Sequence, residues 1–177
     1  MSKVQWVRAE SVDALQGVVD LAAEIWNEYF PAIIGQSQVD YMLGKFSSLE
    51  AMLAQQSEGY QYYLIQDSEE LLGYFTFKTD RTKLFLSKLY IYADHRGKGL
   101  AREVLAFLKE QAREGSVSII RLTVNKDNIA SISAYEKLGF VIIEEVVVDI
   151  GGGYVMDDYV MEYQINGFKV VNMEASH

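Results

Sequence analysis

Two glycines one residue apart, Gly97 and Gly99, separate two stretches of different periodicity. Before them, Leu84 to Tyr92 is aliphatic or aromatic throughout, with only Ser87 and Lys88 as polar breaks, and reads as a strand. After them, Leu100, Val104, Leu105, Leu108 and Ala112 recur at helical spacing until Gly115 stops the run. A strand, a tight glycine turn and a helix in that order aim backbone N–H groups and a positive helix end at one small volume. Such a volume suits a phosphate or pyrophosphate. Glycine lets the backbone approach the anion because no Cβ intervenes. Arg96, Lys98 and Arg102 add positive charge to the same stretch.

Three kinds of loop use this physics. A Walker A loop needs four residues between its glycines and then Lys-Ser/Thr, which is absent here. A dinucleotide-binding turn needs a third glycine where Arg102 stands, and an acidic residue well downstream. The third pattern, Arg/Gln-x-x-Gly-x-Gly/Ala, fits Arg96-Gly97-Lys98-Gly99-Leu100-Ala101. It resembles the coenzyme A pyrophosphate loop of the GNAT superfamily of acyltransferases.

At 177 residues the chain suits a single domain with a substantial core, expected over residues 1–166 with a tail over 167–177. It contains no cysteine, which excludes disulfides, thiolate metal sites and a cysteine nucleophile. Its two histidines, His95 and His177, are too few for a histidine-based metal site, so no metal is expected. The start of the chain has no apolar core of the signal-peptide kind, and no apolar run approaches a membrane span. A cytoplasmic protein without membrane contact is the expectation.

The formal charge of −9 argues against nucleic acid as a partner. Its distribution is uneven. Residues 94–126 carry seven Lys/Arg against four Asp/Glu, whereas residues 127–177 carry two against nine. The one basic stretch contains the glycine turn. An anionic cofactor there and a cationic substrate elsewhere would both be served; scattered surface charge is the plainer alternative.

In chain order, Val4 to Arg8 reads as a strand, and Ser11 as the N-cap of a helix whose apolar stripe runs to Pro31. A second helix follows Ser37, with Ser47-Ser48 as an interruption. Two strands come next, joined by a turn over Asp67 to Glu70, and then the central strand. Beyond the glycine-turn helix come a buried strand at Ile119 to Val124 and a short helix stopped by Gly139. A long strand from Phe140, a loose Gly151-Gly152-Gly153 turn and a last strand from Tyr154 complete the chain. The order β-α-α-β-β-β-α-β-α-β-β predicts an α/β fold with a mixed sheet.

That order is similar to the GNAT order, in which the central sheet splays, and a second segment carries the resemblance further. Asn128-Ile129-Ala130-Ser131-Ile132-Ser133-Ala134-Tyr135-Glu136-Lys137-Leu138-Gly139-Phe140 resembles the family's Asn-x-x-Ala/Ser-x-x-x-Tyr-x-Lys-x-Gly-Phe segment. The resemblance implies an acetyl-CoA-dependent N-acetyltransferase in which an amine attacks the thioester directly. It implies that Arg96, Gly97, Lys98, Gly99, Leu100 and Ala101 hold the pyrophosphate. Main-chain groups of Leu89 and Ile91 would bond the pantetheine arm like an added strand. Asn128 would bond the same arm or serve as a plain N-cap. Tyr135 would give a proton to the departing thiolate, or be a packed ring. Lys137 would reach a cofactor phosphate or stay solvated.

The general base is where the pattern departs from the family. Many members carry a glutamate on the central strand near Ser87 or Lys88, and this chain has no acid there. Glu28, at the end of the first helix, is one replacement; Asp157 and Asp158 are another, and an amine that sheds its proton to solvent needs none. Aromatic residues Trp26, Tyr29, Phe30, Tyr154 and Tyr159 with nearby acids suit a small cationic amine, loosely as in bacterial polyamine acetyltransferases. The expected partner is thus a small-molecule amine, with a homodimer left open. A non-catalytic acyl-CoA-binding module and a protein acetyltransferase are the alternatives.

Overall fold

The computed structural model describes residues 3–165, so the expected tail over 167–177 lies outside the described residues. Among the described residues seven strands and six α-helices follow one another as β-α-α-α-α-β-β-β-α-β-α-β-β, and the strands lie in the order β1-β2-β3-β4-β5-β7-β6. The chain divides into two compact units. The first contains residues 3–78 with Ser87–Leu100, and the second Thr79–Leu86 with residues 101–165. Strand β4 (Leu84–Ile91) therefore contributes its start to the second unit and the rest to the first. Among the described residues no helix is long and apolar enough to cross a membrane.

In the first unit, β1 (Val4–Arg8), β2 (Gln61–Asp67) and β3 (Glu70–Thr79) pair antiparallel. Ser68, at φ 57°, turns β2 into β3 within two residues. Helix α1 (Val12–Tyr29) begins where the Ser11 side chain accepts the Ala14 N–H at 3.1 Å, satisfying a donor that has no partner inside the helix. Its stripe Leu15, Val18, Ala22 and Ile25 is fully buried, with Met52, Tyr62 and Tyr74 in the same core. At about 1.5–3 kcal/mol for each large apolar side chain taken out of water, this stripe dominates the stability of the helix.

The helix expected after Ser37 is two helices, and a further one-turn helix precedes them. Pro31 opens the one-turn α2 (Pro31–Ile34), because a missing N–H costs nothing at a first helical position. Gly35, at φ 86°, separates it from α3 (Gln36–Phe46). Ser47-Ser48 does interrupt: Ser47 leaves helical geometry, and the Ser48 hydroxyl caps α4 (Leu49–Ser57) by accepting the Ala51 N–H.

In the second unit, β5 (Ile119–Asn125) pairs parallel with β4 at Leu84–Ile120 and Phe85–Arg121, and antiparallel with β7 (Tyr154–Gln164) along its length. β6 (Val141–Gly151) is the edge strand beside β7. The triple glycine makes a tight turn. Gly151 pairs with Tyr154, leaving Gly152 and Gly153 at φ 62° and 83° as a two-residue hairpin loop of the kind that needs positive φ at both positions. Helix α5 (Leu100–Glu114) buries Val104, Leu105, Leu108 and Ala112, and α6 (Ile129–Leu138) ends at Gly139, at φ 108°.

Candidate functional site

The glycine turn is built by the end of β4. Tyr92 N–H donates to the Leu72 carbonyl at 2.9 Å, and a single 3₁₀ turn, Ala93–His95, follows. Glu28 from α1 accepts the Ala93 N–H at 3.0 Å, so this carboxylate caps the turn that leads into the glycines. His95 lies 3.4 Å from Glu70. Arg96 folds back on its own unit: its Nε donates to the Ile91 carbonyl at 2.9 Å, and its guanidinium lies 4.6 Å from the centre of the Tyr29 ring. Gly97 and Gly99 both have positive φ, 76° and 84°, and a Cβ at either would meet nothing within 4 Å. The backbone is thus bare on its open side at the start of a four-turn helix, which is the form of an anion cradle. Lys98 and Arg102 are exposed; Leu100 is buried and anchors α5. Leu89 is half-buried and Ile91 buried.

The second unit holds Ala101 and the Asn128–Phe140 segment. Asn128 is buried, and its side chain accepts the Ser131 N–H at 3.3 Å, so it caps α6. Tyr135 is half-buried with its ring edge-on to Phe140 at 5.5 Å, and burial of the phenol pushes its pKa up to about 12. Lys137 is exposed. On β7 the two acids differ. Asp157 pairs with Lys126 at 2.9 Å, while Asp158 is buried, and burial with the Asp157 charge pushes its carboxyl up to about 6. Glu145 completes the surroundings of Lys126 at 2.5 Å, and the Lys126 amine lies 5.6 Å from the Tyr159 ring. A groove of about 520 Å³ bounded by Leu138, Val141, Ile143 and Tyr163 is also present in this unit, and none of the expected cofactor residues lines it.

Of the aromatics read as a cleft wall, Trp26 and Phe30 are buried in the first unit with ring centres 4.3 Å apart, and both contact Tyr90. Their faces are taken up by core packing.

One cluster went unnoticed in the sequence. Lys88, one residue before Leu89 on β4, carries its amine into the first unit. There its Nζ donates to the Tyr62 hydroxyl at 2.6 Å, the Phe46 carbonyl at 2.9 Å and the Gln55 Oε1 at 3.3 Å. Desolvation pushes the amine down to about 7. The sequence signal is a lysine beside Ser87 inside a mostly apolar strand.

Residues 19–140 match the Acetyltransferase (GNAT) family. The chain belongs to that family. Two GNAT relatives are the uncharacterized N-acetyltransferase YobR of Bacillus subtilis and the L-amino acid N-acyltransferase MnaT of Escherichia coli. The first is 28% identical over 114 residues, covering 58% of this chain and 46% of its own length. The second is 27% identical over 93 residues, covering 50% and 54%. The chain spans about half the length of the curated relatives it matches. Among solved structures, the PaiA N-acetyltransferase of Thermoplasma acidophilum, in complex with coenzyme A, aligns with a TM-score of 0.75 at 22% identity, over 93% of this chain and 99% of that one. At that identity the likeness speaks for the GNAT fold, which agrees with the mixed seven-stranded sheet.

Proposed function

We propose that this chain is an acetyl-CoA-dependent N-acetyltransferase acting on a primary amine, with a small cationic amine as the preferred acceptor. The observation that carries the reading is the bare Gly97–Gly99 backbone at the N-terminus of α5 in a chain of the GNAT family. Backbone N–H groups of that turn would hold the coenzyme A pyrophosphate, with Lys98 and Arg102 supplying charge. Main-chain groups of Leu89 would align the pantetheine arm, and the Ile91 N–H would join them while its carbonyl is held by Arg96. Acetyl-CoA would supply the activated thioester: the amine nitrogen would bond to the acyl carbon as the C–S bond breaks, and the proton the nitrogen sheds would pass to solvent. Tyr135, kept as the neutral phenol by burial, would hand its proton to the departing sulfur.

The acidic balance of residues 127–177 supports a cationic acceptor. The name of MnaT favours a second reading, the α-amine of an amino acid. A panel of polyamines, L-amino acids and N-terminal peptides, assayed for acetyl-CoA consumption, decides between them. A polyamine should give the highest kcat/KM, with KM rising as salt screens the exposed field. Preference for an amino acid or peptide would overturn the acceptor class. Coenzyme A binding with no turnover on any amine would overturn the enzyme reading in favour of a binding module.

A further inference from the structure

The glycine turn has little in itself to fix its shape. Gly97 and Gly99 carry no side chains, and a Cβ at either position would meet nothing within 4 Å. Glycine also loses more conformational freedom on ordering than any other residue. The order of this turn must therefore come from the chain on either side. On the far side Leu100 is buried. On the near side stands the 3₁₀ turn Ala93–His95, to which its N-cap residue Tyr92 gives no side-chain hydrogen bond. The first N–H of that turn, on Ala93, finds no acceptor within it.

The last turn of α1, in the same unit, supplies what is missing at both ends of the 3₁₀ turn. At the start, Glu28 accepts the Ala93 N–H at 3.0 Å. At the end, the next helix residue, Tyr29, presents its ring to the Arg96 guanidinium at 4.6 Å, while Arg96 Nε donates back to the Ile91 carbonyl. One turn earlier on α1, Glu24 accepts from the Tyr92 hydroxyl, and Glu70 of β3 lies 3.4 Å from His95. Three carboxylates thus line the approach to a turn read as an anion cradle, where their charge repels the ligand. Charge is therefore no reason for acids at these positions. What Glu28 contributes is an acceptor oxygen, and what Tyr29 contributes is a ring face for a cation.

We propose that Glu28 and Tyr29 are positioning residues for the cofactor turn. Glu28 acts through the Ala93 N–H and Tyr29 through Arg96, and together they hold the Gly97–Gly99 backbone in the form that takes up a pyrophosphate. This rests on the acetyltransferase reading above. It gives Glu28 a hydrogen-bond acceptor's task in place of the proton-accepting one considered from the sequence, and it makes Arg96 a brace and not a phosphate ligand. A turn ordered before the ligand arrives spares the binding step the entropy of ordering it.

The test is calorimetric binding of coenzyme A to the full chain and its variants, with acetyl-CoA kinetics and a melting curve for each. Glu28→Ala should weaken coenzyme A about fivefold, the size of one hydrogen bond, and raise KM for acetyl-CoA in step while kcat holds. Glu28→Gln keeps an acceptor oxygen and removes a charge of the ligand's sign, so it should bind as tightly as wild type or more so. Tyr29→Leu should weaken binding as Glu28→Ala does, and Tyr29→Phe, which keeps the ring, should restore it. Wild-type affinity in both Glu28→Ala and Tyr29→Leu would overturn the proposal. So would a Glu28→Gln protein that binds normally and loses kcat, since that is the mark of a proton acceptor. Tighter binding by Tyr29→Leu would equally overturn it, by showing that Arg96 grips phosphate once released. If Glu28→Ala melts too early for calorimetry, amide NMR of the free chain in the cold decides. The Gly97 and Gly99 signals should then move, and movement only elsewhere would sink the proposal. Failure of wild type to bind coenzyme A is a different result, and it removes the acetyltransferase reading itself.

Discussion

Burial moves several groups toward their uncharged forms, and for two of them, Lys88 in the first unit and Tyr135 in the second, the chemical consequences are opposite. Lys88 in the first unit is lowered to about 7, which leaves a neutral amine able to take a proton. Tyr135 in the second is raised to about 12, which leaves a neutral phenol able to give one. The same desolvation makes an acceptor of one and a donor of the other, because only the sign of the charged form differs. Groups whose environments set their proton affinities apart are candidates for acid and base roles. Neither owes its shift to an ion pair.

The largest expected effect touches neither group and so serves as the control for both. Gly99→Glu puts a carboxylate on the bare side of the turn, where nothing of the protein stands in its way. By sterics and charge together, it would weaken binding of the coenzyme A that the turn is proposed to hold, by about a hundredfold or more. Calorimetry should show this while the melting temperature drops only modestly, from a side chain forced to φ 84°. Unchanged affinity in the folded variant would remove the turn from the site, and with it the frame in which donor and acceptor are compared.

Next in size is Tyr135→Phe, which keeps the ring against Phe140 and deletes the hydroxyl. kcat should fall at least about tenfold with KM for acetyl-CoA little changed, since the lost interaction belongs to the transition state. If KM rises and kcat holds, Tyr135 positions the cofactor; if only the melting temperature moves, it is core. Either result breaks the donor–acceptor comparison on the second unit's side alone.

The smallest effect sharpens the comparison through stability. Asp158 is also neutralised by burial, its folded pKa of about 6 lying above the ordinary carboxyl value near 3.8. The folded state then holds the proton longer than the unfolded chain. The contribution is fully present below about pH 3.8 and is lost as pH rises through 6. For Lys88 the window lies elsewhere. Its folded pKa of about 7 is below the ordinary 10.5, so the folded state releases its proton first and gains stability as pH rises from about 7 to 10.5. Asp158→Asn should remove the first slope and leave the second, a difference of a few degrees in melting temperature between pH 4 and pH 6.5. A variant whose melting temperature tracks wild type across that interval would show that Asp158 titrates normally.

Local signals were enough for much of this chain. Ser11 and Asn128 cap the helices they precede, because a cap needs only a short polar side chain and the backbone N–H groups just beyond it. Gly97 and Gly99 mark the turn because positive φ is a property of the residue type. The apolar stripe of α5 predicts its buried face for the same reason, since helical spacing is fixed by geometry. The split of the second helix was legible only as far as Ser47-Ser48; Gly35, which also ends a helix, was not weighed. The triple glycine was read as loose because three glycines permit many turns, and the pairing of Gly151 with Tyr154 selected one of them.

Lys88 was beyond local reading. Its three partners lie 26, 33 and 42 residues away in the chain, on β2, α4 and α3. Period-two alternation sends Lys88 to the opposite side of the strand from Ser87 and Leu89, and nothing in that pattern says whether the far side is wet or dry. Proton affinity depends on what surrounds the group, and the surroundings are assembled from distant segments. Sequence determined that a glycine turn before a helix, a capped helix carrying a tyrosine and a strand with one lysine would exist. Tertiary structure alone decided that the lysine's amine would be largely desolvated, with no carboxylate within ion-pair distance among the described residues, because desolvation is a property of the packed surroundings and not of the residue.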